Sequence, residues 1–157
     1  MTTIAVDTKG TIAADGLGCN DNIRATHSAR KIIVEDGAIY ALAGTECLTR
    51  PLINWVKAGA DPDKLPKVGD NTWGLLVITR TGATHYHYKC PFPEIVDLPW
   101  ATGSGREIAI GLLRDGKSAR RAVEIACELD VYSGGDIQVI DIAEALGLKE
   151  QQLQAAE

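Results

Sequence analysis

Apolar positions recur with two periods along this chain, and the switches between them mark the elements. Residues Thr3–Val6 and Thr11–Ala14 are short β-type runs around Asp7-Thr8-Lys9-Gly10, a hairpin turn. A polar stretch from Gly16 to Ser28 follows, with strand character at Ile23–Thr26. Residues 31–34 and 38–43 flank Glu35-Asp36-Gly37, a second hairpin signal, and Gly44 ends the second of these runs. Leu48, Leu52, Trp55 and Val56 then fall on one face of a helix, which starts or bends near Pro51. Residues 59–69 read as a loop rich in Pro, Asp and Lys. Residues 73–80 and 83–89 form a third hairpin across Thr81-Gly82, and strand runs at 95–98 and 100–102 surround Pro99. The pattern then changes to helical. One helix opens at Ser104-Gly105-Arg106-Glu107, a capping box, and a second opens at Ser118, with Gly116 between them. A last strand spans 136–142, and a short polar tail begins at about 143.

Strand runs and helix runs are thus segregated and joined by tight hairpins. That order favours antiparallel sheets layered with helices over the alternating units of a parallel sheet. The length of 157 residues suits a single domain over 1–157 with a sizeable core.

Composition narrows the function classes. The net charge of −5 and the absence of a Lys/Arg block argue against a nucleic-acid partner. No apolar run approaches membrane-spanning length, and Asp7 and Lys9 stand where a signal peptide needs its apolar region. The four cysteines are scattered with no CxxC, as expected of reduced thiols in a cytoplasmic protein. His85 and His87 share a strand face, but two histidines with no third ligand nearby describe a polar face better than a metal site. No P-loop or complete dinucleotide fingerprint occurs. No cofactor and no metal is expected, and the chain does not itself hydrolyse ATP.

The remaining chemistry starts at the N-terminus. Trimming of Met1 before a small residue leaves Thr2 with a hydroxyl and a free α-amine, a nucleophile carrying its own base. Four further signatures follow in order. Asp15 ends the second strand, Lys31 begins a later one, Gly103-Ser104-Gly105 opens a helix, and Asp130-Val-Tyr-Ser133-Gly-Gly joins a helix to the last strand. With Thr2-Thr3-Ile4-Ala5-Val6, the set resembles the proteasome β-subunit family of N-terminal nucleophile (Ntn) hydrolases, and especially the bacterial HslV-like peptidases. Asp15 and Lys31 keep the family's separation, and Ala41-Leu42-Ala43-Gly44 resembles its strand end and glycine. The resemblance runs from Thr2 to about Ile142. This chain is a shortened version: its first hairpin is shorter, and one helix stands between Gly44 and Trp73 where the family has two.

The resemblance implies a four-layer α-β-β-α sandwich of two antiparallel sheets, and a threonine peptidase acting on polypeptides. Its catalytic set would be Thr2, Asp15, Lys31, Gly44, Ser104, Asp130 and Ser133. Thr2 would attack, and Lys31 would depress the pKa of the α-amine below its ordinary ~7.7–8.0. Asp15 would hold Lys31, and Ser104, Asp130 and Ser133 would orient the amine. The Gly44 N–H would serve as oxyanion donor. Leu42 would floor the pocket for the residue before the cut, lined by Gly18, Ala29 and Glu46, and Cys19 would pair with extended substrate. Leu42, Gly18 and Ala29 favour apolar side chains there. The resemblance also implies a homo-oligomeric ring that hides its sites, served by a separate ATPase unfoldase if folded substrates are its task. Two rivals stand beside this reading: a catalytically silent ring protein, and an amidase of the same nucleophile class acting on small molecules.

Overall fold

The computed structural model describes residues 2–148. A four-stranded antiparallel sheet contains β1 (Thr3–Val6), β2 (Thr11–Ala14), β10 (Trp100–Gly103) and β11 (Gln138–Asp141), in the order β10-β1-β2-β11. A five-stranded antiparallel sheet runs in sequence order through β5 (Ile32–Glu35), β6 (Ala38–Gly44), β7 (Trp73–Thr79), β8 (Gly82–His87) and β9 (Cys90–Val96). A small hairpin of β3 (Gly18–Asn20) and β4 (Ile23–Thr26) completes the strands of the described residues. The helices are α1 (Thr49–Lys57), α2 (Arg106–Arg114), α3 (Ala119–Leu129) and the short α4 (Ile142–Ala145). The class is α+β with antiparallel sheets, as the segregated pattern implied.

Each central strand buries both faces, so β1 and β2 read as continuous apolar runs. Ile4, Val6, Ile12 and Ala14 pack in one cluster with Ile39, Ala41, Ala43, Leu76 and Ile78 of the larger sheet. On the opposite face of β1 and β2, the small residues Ala5 and Ala13 meet Ala109 and Leu113 of α2 and Ala122 and Val123 of α3. Small side chains there let the helices approach closely, at the density required of a core. The other face of β6 and β7 offers Tyr40, Leu42, Leu75 and Val77 to Leu52, Ile53 and Trp55 of α1.

Several expectations about elements need correction. Ser104 does not cap α2: the N-cap is Gly105 and makes no side-chain cap bond. Ser118 does cap α3, accepting from the Arg121 N–H. The strand read at 95–98 instead spans Cys90–Val96, because β9 pairs along β8 through a register shift between His85 and His87. Pro91 and Pro93 lack the N–H donors of a regular ladder and fall within that irregular stretch. The apolar core also continues past 143. Leu146 is buried against Ile142 and the inner faces of the sheets, so α4 occupies the start of the stretch read as tail. The rest of that stretch, 149–157, and Met1 lie outside the described residues.

Candidate active site

Thr2 directly precedes β1, and Asp15 directly follows β2, its partner in the first hairpin. The pairing therefore sets the Asp15 carboxylate beside the start of the chain. Asp15 is fully buried. Its Oδ1 accepts from the Thr3 N–H at 2.8 Å and from Lys31 Nζ at 2.9 Å. Its Oδ2 accepts from the Leu17 N–H at 3.2 Å and the Gly134 N–H at 3.1 Å. A buried carboxylate is tolerable only when paired and hydrogen-bonded, and Asp15 is both.

Lys31 reaches this carboxylate from just before β5, in the other sheet. Burial pushes its ammonium pKa below the ordinary lysine range, and the Asp15 charge and hydrogen bond oppose that shift without cancelling it. Gln138 on β11 fixes the Lys31 backbone. Its Oε1 accepts from the Lys31 and Ile32 N–H groups at 3.2 and 3.1 Å, and its Nε2 donates to the Ile32 carbonyl at 2.8 Å. Sequence reasoning missed Gln138, because a single amide in an apolar strand carries no signal of a cross-sheet clamp.

A second network surrounds the Thr2 nitrogen, which donates to Ser104 Oγ at 3.2 Å. Asp130 Oδ2 accepts from both Ser104 Oγ and Ser133 Oγ, each at 2.6 Å. Ser104 also lies 3.3 Å from the Thr2 carbonyl, but its one proton favours the shorter, charge-assisted bond to Asp130. With Ser133 committed as donor to Asp130, the Thr3 Oγ1 contact at 2.7 Å makes Thr3 the donor to Ser133. The Thr3 hydroxyl is thereby a further member of this network. The turn that brings Ser104 in depends on Gly103, whose φ is +98° and where an added Cβ would collide with the Thr2 carbonyl oxygen.

Thr2, Lys31 and Gly44 line one cavity of about 880 Å³, together with Gly18, Cys19, Ala29, Leu42 and Glu46. All five residues expected to bind substrate thus face the same space as the candidate nucleophile. Arg30, Thr45, Asn71 and Thr72 also line it and carried no readable signal in the sequence. Gly44 has φ +141°, and a Cβ there would stand 2.7 Å from the Thr72 carbonyl oxygen. Glycine thereby permits the close approach of β6 and β7 at the cavity wall. The arrangement supplies a hydroxyl, a nitrogen in a polar network and a buried cation beside one cavity, the parts required for nucleophilic attack on a carbonyl.

Sequence comparison finds no matching family model and no matching curated protein. Structural comparison finds clear likenesses. HslV from Trypanosoma brucei superposes with a TM-score of 0.65 at 20% identity, over 90% of this chain and 99% of that one. BPH from Thiobacillus denitrificans in complex with epoxomicin gives 0.66 at 18% identity, over 90% and 99%. A second structure of that BPH gives 0.69 at 17% identity, over 90% and 98%. The alignments thus cover 90% of this chain and almost all of each neighbour. The chain has the fold of HslV and of BPH.

Proposed function

We propose that this chain is a threonine-type peptidase subunit of a self-compartmentalising ring. The observation that carries the reading is the pair of networks at the start of β1: Asp15–Lys31, which holds the Thr3 N–H and lines the Thr2 cavity with Lys31, and Ser104–Asp130–Ser133, which receives the Thr2 nitrogen. An inert ring subunit has no use for a buried ion pair and a serine–aspartate relay at its first residues.

In this reading, removal of Met1 converts the Thr2 nitrogen from an amide into an α-amine. The amine accepts the proton of Thr2 Oγ1 as that oxygen attacks the peptide carbonyl, then passes it to the leaving amine. Water hydrolyses the resulting ester. Lys31 keeps the amine neutral and therefore basic, and Asp15 compensates Lys31. Ser104 accepts a hydrogen bond from the amine and passes its own proton toward Asp130, which orients the amine's lone pair. The Gly44 N–H stabilises the oxyanion, a contribution worth roughly 2.7–4 kcal/mol in comparable sites. Leu42 at the cavity floor favours apolar residues before the cut.

The packing of α1, the larger sheet, the smaller sheet and the α2–α3 pair through three clusters supports a four-layer α-β-β-α sandwich in one domain. No helix of the described residues is long and apolar enough to cross a membrane, and a cytoplasmic ring fits the free cysteines. A separate ATPase would unfold folded substrates.

Epoxomicin, the compound held by the BPH neighbour, provides the test. Intact-mass spectrometry of the native protein should show loss of Met1 and one epoxomicin adduct per chain. Thr2→Ala should remove the adduct and the turnover of fluorogenic peptides. A retained Met1 with no adduct and no turnover would overturn the reading.

A further inference from the structure

A second cavity of about 590 Å³ adjoins the first and shares Gly44 and Thr72 with it. Its wall includes His85, His87 and Glu94 from the β8–β9 hairpin. Cys90 and Glu94 follow the two histidines closely in sequence, and the fold turns them back onto the same hairpin. The register shift in this hairpin sets His87 directly opposite Cys90, while His85 stays opposite Glu94. One ligand atom from each of His87, Cys90 and Glu94 lies within 4.8 Å of the others. A tetrahedral site with bonds of 2.0–2.3 Å has donors about 3.3–3.8 Å apart, so a small inward rotation of the side chains completes it. His87 Nε2 is already 3.5 Å from Glu94 Oε2.

A second observation points to the same place. His85 is more than nine-tenths buried, and its Nδ1 has no hydrogen-bond partner among the described residues. Its Nε2 is engaged by Thr102 Oγ1 at 3.3 Å, while Nδ1 faces Glu94 Oε2 at 3.7 Å, too far for a hydrogen bond. A buried polar atom left this way is costly, and carboxylates that bind metals are held by such outer donors.

We propose that His87, Cys90 and Glu94 form a binding site for a divalent transition metal of Zn²⁺ type. Imidazole nitrogen with thiolate sulfur selects Zn²⁺ over Mg²⁺ or Ca²⁺, which take oxygen ligands. On binding, Cys90 releases its thiol proton to solvent and coordinates as the thiolate. Three protein ligands leave the fourth tetrahedral position to water. As Glu94 closes onto the metal, His85 Nδ1–H can donate to its carboxylate, which makes His85 a positioning residue. The site joins the ends of an irregular strand pair, so the metal would pin the hairpin that walls the second cavity. This assignment stands independently of any role for Thr2.

Titration of the full chain with Co²⁺ tests it. One equivalent should give a thiolate-to-cobalt charge-transfer band in the near ultraviolet, and Zn²⁺ should displace it. Cys90→Ser should abolish the band, and His87→Ala and Glu94→Gln should each weaken Zn²⁺ affinity at least tenfold, with circular dichroism unchanged. Cys47→Ser should leave the band intact. Absence of the band, its survival in Cys90→Ser, or its loss in Cys47→Ser would overturn the proposal.

Discussion

Asp15 and Lys31 form a pair whose energetics follow from burial. The Lys31 side chain is 10% exposed and that of Asp15 not at all, so solvent screens the pair little. Removing one partner of such a pair leaves an uncompensated buried charge. Lys31→Ala should therefore cost about 3–5 kcal/mol of stability, read as a lower urea midpoint with the slope unchanged. A loss below about 1 kcal/mol would mean that water reaches Asp15. Both members of the pair were named from the family resemblance, and the fold brings them within 2.9 Å. Their surroundings were not legible in the sequence: the Thr3, Leu17 and Gly134 N–H groups that complete the Asp15 shell come from three different segments. Backbone donors carry no residue-type signature.

At the scale of elements, one residue type serves opposite ends. Gly103 ends β10 at positive φ against the Thr2 carbonyl, whereas Gly111 sits within α2 with nothing close to its Cβ position. Gly103→Ala should destabilise by at least about 2 kcal/mol, through backbone strain and steric collision. Gly111→Ala should stabilise by up to about 1 kcal/mol, because alanine loses less backbone entropy in a helix. Thermal melts of the two variants should move in opposite directions; a rise for Gly103→Ala would contradict the account of Gly103, and a fall for Gly111→Ala that of Gly111. The hairpins were legible because turn residues and alternation mark them locally. Ser104 was misread for a physical reason. Its position before Glu107 satisfies a capping pattern, but Asp130, brought in from the end of α3, offers a charged acceptor at 2.6 Å. A charged partner outcompetes a neutral cap.

For the whole molecule, enclosure follows from the proposed chemistry. An unspecific peptidase with an open cavity is hazardous to its neighbours, so activity should belong to an assembled ring. Sedimentation velocity of the native protein should show a high-mass oligomer, and peptide turnover should fall on dilution into the monomer range. A fully active monomer would contradict the ring. The two adjoining cavities share the Gly44–Thr72 wall, where β6 and β7 approach each other.

The sequence by itself determined the hairpin turns, the segregation of strands from helices and the antiparallel class, which follow from local periodicity and turn chemistry. The candidate site residues came from the family resemblance of short motifs taken in order. Tertiary structure alone decided which of those residues meet. It set Thr3 and Gln138 among the site's fixed groups, released Ser104 from the helix cap and brought Cys90 and Glu94 to the two histidines. Each depends on contacts between segments far apart in the chain or on the register between strands. Neither is encoded in any single window of residues; both are selected by the burial of the three apolar clusters together.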